Sequence, residues 1–359
     1  MIAAMSWRNR QTRNRDQSMG EQKMDLSIIV PVYNGESHIT ECLASIFAQT
    51  ASSLEVIIIN DGSSDRSSEL IAEFLTGAKE RVPETGNAPE VVLIEQENQG
   101  VAASRNTGIA RARGRFVTFV DQDDQIAPDY CQVYLEHAGD ADIVVGGYER
   151  ITYEGRSLKK VVLQECPWAR FVVVAPWAHI YRTEFLRKEN ITFLTTGIGE
   201  DVYFNLRAYA QTEKIVTVQD AGYHWMFNEQ SVSNSRQSTI RDDVDPVFLL
   251  DHLVSDISNK AFLEDELVEY YMARYVCWYM LFSARGSRRS QISQMYIRLT
   301  AWLRKYYPDY LKNRYLGLKC PKGEIRMTGC AVTCYYLAQR MGLLKGLLLL
   351  MGRKDEDPV

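Results

Sequence analysis

Residues 26–65 read LSIIVPVYNGESHITECLASIFAQTASSLEVIIINDGSSD, and the pattern of this stretch decides the fold class. LSIIVPVYN is a short β-rich run ended by turn formers, and ESHITECLASIFAQT follows with Ile39, Leu43, Ile46 and Phe47 at helical spacing. LEVIIINDGSSD then repeats the strand, with Ile57 to Ile59 forming a buried apolar run. RSSELIAEFLTGA supplies the second helix, and Ser63, Ser64 or Asp65 stands where a cap is wanted. Alternating strands and helices with continuously apolar strands predict an α/β fold, a mainly parallel sheet between layers of helices.

The unit continues outward from there. VVLIEQE is a third strand, NQGVAASRNTG opens a helix ending near Gly114, and GRFVTFVDQDDQIAPDY (residues 114–130) climbs a fourth apolar strand into Asp121, Asp123 and Asp124. Ligands of such sheets sit beyond the carboxyl ends of the strands, and the polar clusters of this half all fall there. ADIVVGGYERITYEG and SLKKVVLQE read as strands of a hairpin or mixed extension. WAHIYRTEFLRKENI and EDVYFNLRAYAQT read as two helices separated by TFLTTGIGE, and KIVTVQDAGYHWMF as a closing strand. From about Ser238 the pattern is helical, with aromatic stretches such as LVEYYMARYVCWYMLF. The expected organisation is a flexible tail over 1–24, the α/β domain over 25–230 and a helical C-terminal region over 231–359.

Composition narrows the function classes. The net charge of −5 over 359 residues is mild and acidic, which argues against a protein that coats nucleic acid. The first 24 residues are rich in Arg, Asn and Gln and hold no apolar core, unlike a secretory signal, and Met19 or Met24 could equally be the start. Seven scattered cysteines, mostly in apolar context, read as reduced thiols of a cytosolic protein. Cys330 and Cys334 lie one helical turn apart without the partners a zinc site needs. The last segment, CAVTCYYLAQRMGLLKGLLLLMGRK, is strongly apolar but broken by Gln339, Arg340 and Lys345. A bilayer span needs about 20 consecutive apolar residues, so the segment suits the membrane interface, a partner helix or a helical core.

Chemistry can be assigned to several clusters. Tyr33, after Pro31 and Val32, is a polar aromatic at a strand end that could stack on a flat base, although a half-buried packing role is the commoner use. Asp61 after Asn60 could accept from a base imide or ribose hydroxyl, as acids do in dinucleotide folds, but the GxGxxG fingerprint is absent. Gly100 allows close backbone approach, and Arg105 on the following helix could face a diphosphate or steady the acidic cluster. The carboxylates of VDQDD repel one another unless something positive compensates. An isolated cluster of this kind is more often a solvated turn. At the end of the fourth strand, beside Asp61 and Tyr33, it points to Mg2+ or Mn2+ bridged to a diphosphate.

SIIVPVYNGE, INDGSSD, NQGVAASRNTGI, FVDQDD and GEDVYF, in this order over residues 25–230, resemble the family 2 inverting glycosyltransferases with the GT-A (nucleotide-diphospho-sugar transferase) fold. The resemblance implies that Pro31, Val32, Tyr33 and Asp61 hold the base and ribose, and that Arg105 lies near the diphosphate. It assigns Asp123 and Asp124 to ribose and metal, with Asp121 the variable member. It makes Asp201 of GIGED the catalytic base beside Glu200, a pair that would otherwise read as helix N-terminal acids favoured by the dipole. His224 could reach the metal or diphosphate, or be a packed strand histidine. The stretch from Trp177 to Tyr181 resembles an acceptor-side segment in which Lys is common where this chain has His179. The implied function is transfer of a sugar, with a UDP-sugar expected as donor, to a glycan or lipid-linked acceptor in cell-surface polysaccharide synthesis. The expected location is the cytoplasm or the inner face of the membrane, held there by the C-terminal helix. A non-catalytic nucleotide-sugar-binding module and a sugar nucleotidyltransferase are the rival readings, the second weakened because PVYNGES lacks a Gly-rich activating loop with a basic residue.

Overall fold

The computed structural model describes residues 24–77, 88–196, 199–228, 239–241 and 244–354. The expected N-terminal tail lies outside them apart from Met24, which is buried and whose carbonyl accepts from Arg115 N at 2.9 Å. Strands β1 (Leu26–Val32) and β2 (Leu54–Asp61) are buried at every position, as their runs of Ile and Val require in a sheet covered on both faces. Helix α1 (Ile39–Phe47) turns Ile39, Cys42, Leu43, Ile46 and Phe47 inward. Each of its large apolar side chains contributes about 1.5–3 kcal/mol by burial.

Helix α2 (Ser67–Thr76), β3 (Glu90–Gln96), α3 (Val101–Arg111) and β4 (Phe116–Phe119) complete the expected repeat. Of the three capping candidates only Asp65 serves α2, from one position before Arg66, which holds the N-cap position without a side-chain bond. Asp65, one residue earlier, accepts from Ser67 N at 3.0 Å, while the Ser63 hydroxyl accepts from Asn34 N at 3.0 Å. The serines thus bind the β1 and β2 loops together rather than capping a helix.

The chain continues through β5 (Gln125–Ile126), α4 (Tyr130–Ala138), β6 (Ile143–Val145) and the hairpin of β7 (Tyr148–Ile151) with β8 (Ser157–Val161). WAHIYRTEFLRKENI, expected as a helix, instead forms strand β9 (His179–Arg182) and only a short α5 (Thr183–Lys188). Ile180 and Tyr181 are fully buried where β9 runs antiparallel between β4 and β6, a tertiary demand that overrides local pattern. After α6 (Glu200–Ala210), the expected single closing strand is two, β10 (Ile215–Thr217) and β11 (Tyr223–Met226), and they join different sheets.

The central sheet has the order β10-β6-β9-β4-β1-β2-β3, and a smaller one the order β5-β11-β7-β8. β1 pairs in parallel with β2 on one side and β4 on the other, so the strand order reverses at β1, and ligands of such sheets bind outside the carboxyl ends of the strands at that point. The opposite ends are held by a buried carboxylate. Glu55 on β2 accepts from the Ser27 hydroxyl at 2.5 Å and from Arg113 Nε at 2.9 Å, while Gly114 N donates to Ser27 Oγ at 2.8 Å.

Backbone contacts divide the chain into two compact units. The first lies within Met1–Gln164, Val173–Thr195 and Glu200–Phe227, the second within Glu165–Val172, Thr196–Gly199 and Asn228–Val359. The second is the helical region: α7 (Pro246–Asp256), α8 (Lys260–Leu263), α9 (Glu266–Trp278), α10 (Arg289–Tyr306), α11 (Arg326–Arg340) and α12 (Leu344–Met351). Its core is aromatic, with Trp168 set edge-on to Tyr270 at 5.0 Å. The apolar C-terminal segment breaks at Gly342, φ +72°, between α11 and α12. Leu344 and Leu348 of α12 are buried, whereas Leu343, Leu347 and Leu350 are exposed. No helix among the described residues is long and apolar enough to cross a membrane. All seven cysteines are free.

Candidate active site

The carboxyl ends of the central strands gather most of the sequence motifs. Pro31 and Val32 are buried at the end of β1, and Tyr33 steps out of the strand with 48% of its surface exposed. From the end of β4, the Gln122 carboxamide accepts from Tyr33 N at 2.8 Å and donates to Tyr33 O at 3.0 Å. Asp61, nearly fully buried, turns its carboxylate to the next loop. Oδ1 accepts from Gln96 Nε2 at 2.7 Å and Gln99 N at 2.9 Å, and Oδ2 accepts from Gly100 N at 2.8 Å. Gly100 is needed for its backbone, φ +87° and ψ 164°, a region that side chains avoid. No protein atom lies within 4 Å of where its Cβ would stand, so it is not crowded by the fold.

The three aspartates after β4 have separate environments. Asp124 is 2% exposed, and its oxygens accept from the Tyr223 hydroxyl at 2.7 Å and from Met226 N at 2.8 Å, both on β11. Burial pushes its carboxyl well above the usual range, and the charges of Asp121 and Asp123 add to the rise. Asp123 is half-buried, and its carbonyl accepts from the Tyr153 hydroxyl at 3.1 Å. Tyr153 in turn stacks on His38 at 4.5 Å with an interplanar angle of 10°. Cys42 is buried beneath the cluster, where desolvation and then the Asp124 charge raise its thiol.

Asp121 faces the other way, toward Arg105. Arg105 is 3% exposed, and its guanidinium bonds Asp121 Oδ1 at 2.8 Å and Asp201 Oδ1 at 2.7 Å, with Glu200 Oε1 at 4.0 Å. The Phe193 ring lies 5.3 Å away, and Nε is buried without a hydrogen-bond partner. Arg105 thus contacts three members of the acidic groups that the sequence places at the site. Glu200 and Asp201 open α6 in its first turn. Burial raises both carboxyls, Asp201 to about 8, against the opposing pull of Arg105. A carboxyl held near neutral pH beside a fixed cation is the electrostatic setting of a general base.

Two histidines fall elsewhere. His179 is fully buried, with Nδ1 2.8 Å from Trp177 O and Nε2 2.7 Å from the Tyr209 hydroxyl. Burial lowers it to about 4, so it is a neutral core residue rather than an acceptor contact. His224 follows Tyr223 on β11, and strand alternation turns it from the Asp124 side. It pairs in register with Glu149 of β7, and burial lowers its pKa while Glu149 pulls the other way. Among the described residues no group of three His, Cys, Asp or Glu side chains is placed to hold a metal. A recess of about 370 Å3 at the opposite ends of the strands, lined by Asp25, Thr50, Arg115 and Gln132, contains none of the motif residues.

Gln122, Tyr223, Tyr153 and Phe193 belong to the site but were not singled out by the sequence. Gln122 was in view inside VDQDD. The other three are 99, 30 and 88 positions or so from their partners, and nothing local marks them.

Known proteins of similar sequence and structure bear on this arrangement. The family model described as Glycosyl transferase family 2 matches residues 27–199. The putative glycosyltransferase EpsH of Bacillus subtilis is 30% identical over 290 residues, 74% of this chain and 79% of EpsH. The glycosyltransferase GlyA of Streptococcus pneumoniae is 30% identical over 230 residues, which are 58% of this chain but 31% of GlyA. A crystal structure of S. aureus TarS 1–349 in complex with UDP-GlcNAc superposes with a TM-score of 0.65, covering 90% of each chain at 19% identity, a likeness of fold. The α/β architecture expected from the motifs is thus shared with a solved structure, and the chain belongs to glycosyl transferase family 2.

Proposed function

We propose that this chain transfers one sugar from a nucleoside-diphosphate sugar, a UDP-sugar in the first instance, to a hydroxyl of a glycan or lipid-linked acceptor, with inversion at the anomeric carbon. The observation that carries this reading is the Arg105 bridge. It ties Asp201, an acid on a helix N-terminus, to Asp121 of the aspartate cluster through bonds of 2.7 and 2.8 Å. The UDP-GlcNAc in the TarS complex supports a uridine donor.

In the proposed reaction the acceptor oxygen attacks the anomeric carbon as the bond to the diphosphate oxygen breaks, and the hydroxyl proton passes to Asp201. Inversion follows because attack and departure lie on opposite faces. Tyr33 offers a ring face to the base, and Pro31 and Val32 form the floor beside it. Asp61 acts through the loop it orders at residues 99–100. Arg105 keeps Asp201 oriented and lowers the cost of its negative charge, and Glu200 adds local field from 4.0 Å.

A divalent cation, Mn2+ or Mg2+, fits the donor chemistry. Asp123 and Asp124 are hard oxygen ligands, and the mutual repulsion of this cluster is what a cation relieves. Such ions take one or two carboxylates and leave the rest of the shell to phosphate and water. Asp123 and Asp124 would hold it, without His224. When bound, it would offset negative charge on the departing diphosphate.

The exposed leucines of α12 with Lys345, Arg353 and Lys354 around them support peripheral binding to an anionic membrane surface, where a lipid-carried acceptor would be met. The decisive experiment on the reaction is Asp201→Asn. It should bind UDP with Mn2+ as the wild type does while turnover falls roughly 10²–10⁴-fold, the usual worth of a positioned base. Unchanged turnover, measured by UDP release over a panel of donors, would remove Asp201 from the reaction.

A further inference from the structure

We propose that Gln122 is a positioning residue for the base-stacking ring of Tyr33, acting from the end of β4. The inference rests on the donor reading given above. A main-chain N–H only donates and a carbonyl only accepts, so the bonds of 2.8 and 3.0 Å fix the Gln122 carboxamide in one orientation. Those bonds fall at the point where the chain leaves β1 and loses its sheet partners, with Asn34 next in the left-handed region at φ +49°.

The space for the carboxamide is prepared by Gly35. A Cβ on that residue would stand 2.4 Å from Gln122 Oε1 and 2.8 Å from Cδ. The clamp therefore has three parts from two strands: the Tyr33 main chain, the Gln122 side chain and the missing side chain of Gly35.

A consequence for recognition follows. The Tyr33 N–H and C=O form the donor–acceptor pair that the imide edge of a pyrimidine would use, and Gln122 already occupies both. Tyr33 then contributes its ring face, and stacking is tolerant of base identity because every base has a π-face. The opposite arrangement is that Gln122 stands in for the base and leaves when nucleotide enters. The two make predictions of opposite sign.

The test measures UDP and inorganic pyrophosphate binding, with Mn2+, to the wild type, Gln122→Ala, Gly35→Ala and the double variant. Positioning predicts that each single variant binds UDP about three- to tenfold more weakly, the worth of two modest hydrogen bonds. The double variant should lose no more than either single, because both remove one interaction. Pyrophosphate, which has no base, should bind all four proteins alike. UDP binding that is equal or tighter in Gln122→Ala would overturn the inference, as would an equal loss for pyrophosphate. If the wild type binds no nucleoside diphosphate, the donor reading falls and this inference with it. If the wild type binds UDP and only the variant pattern fails, the donor reading stands alone.

Discussion

Arg105 sits 96 positions before Asp201 and 16 before Asp121, yet it joins the two within 2.8 Å. Its planar guanidinium presents NH1 to Asp201 and NH2 to Asp121 in one fixed fork, a geometry that the compact, flexible ammonium of a lysine does not reproduce. Arg105→Lys should therefore lower kcat/KM at neutral pH by about tenfold or more, the value of one charge-assisted hydrogen bond. The charged groups facing Asp201 are Arg105, Glu200 and Asp121. Burial raises Asp201 to about 8, and a base works only when ionised, so kcat/KM should rise with pH and level off above about 8. Weakening the Arg105 partner removes the influence that lowers this value, so the rise should move to higher pH in Arg105→Lys. A pH profile of UDP release checks both, and a flat profile from pH 6 to 9 would exclude titration of this carboxyl. At this scale the acids themselves were legible, because VDQDD and GIGED concentrate charge at strand and helix ends. Their partners were not. Asp121 pairs with Arg105 and Asp124 with Tyr223 only through the neighbourhood of strands distant in sequence.

Whole elements were readable where the pattern had one physical solution. β1 and β2 are unbroken apolar runs that only a doubly covered sheet can bury, and α1 shows its buried face every three to four residues. HIYR was misread because its neighbours continue at helical spacing, and its strand character comes from the slot between β4 and β6. The loop before α3 offers an element-scale prediction. Gly100 combines φ +87° with an N–H bonded to Asp61. Gly100→Ala should destabilise the first unit by roughly 1–3 kcal/mol and weaken UDP binding through Asp61, observable as a lower denaturant midpoint and a raised Kd. Retention of both would mean that the loop relaxes freely and Asp61 does not depend on it.

For the whole molecule, the helical C-terminal region was legible as helical, but the earlier segments that group with it were not. Glu165–Val172 and Thr196–Gly199 group with the second unit, and a reading that seeks one boundary cannot detect such returns of the chain. α12 carries the prediction at this scale. Leucines on both of its faces, with Lys345, Arg353 and Lys354 nearby, should bring the full chain to vesicles containing anionic lipid in a flotation assay. Leu347→Glu with Leu350→Glu should return it to the bottom fraction, and failure of the unaltered chain to float would remove the membrane from the reading. The Glu55 lock has a consequence for synthesis. Its carboxylate, fully buried on β2, takes bonds from Ser27 behind it and from Arg113 ahead of it. A nascent chain emerging from the ribosome has the first partner early but lacks the second until residue 113 is free. The opening β1–α1–β2 segment therefore waits, half-satisfied, for α3 and β4, and stalling translation between them should leave a protease-sensitive intermediate that matures once Arg113 clears the exit tunnel.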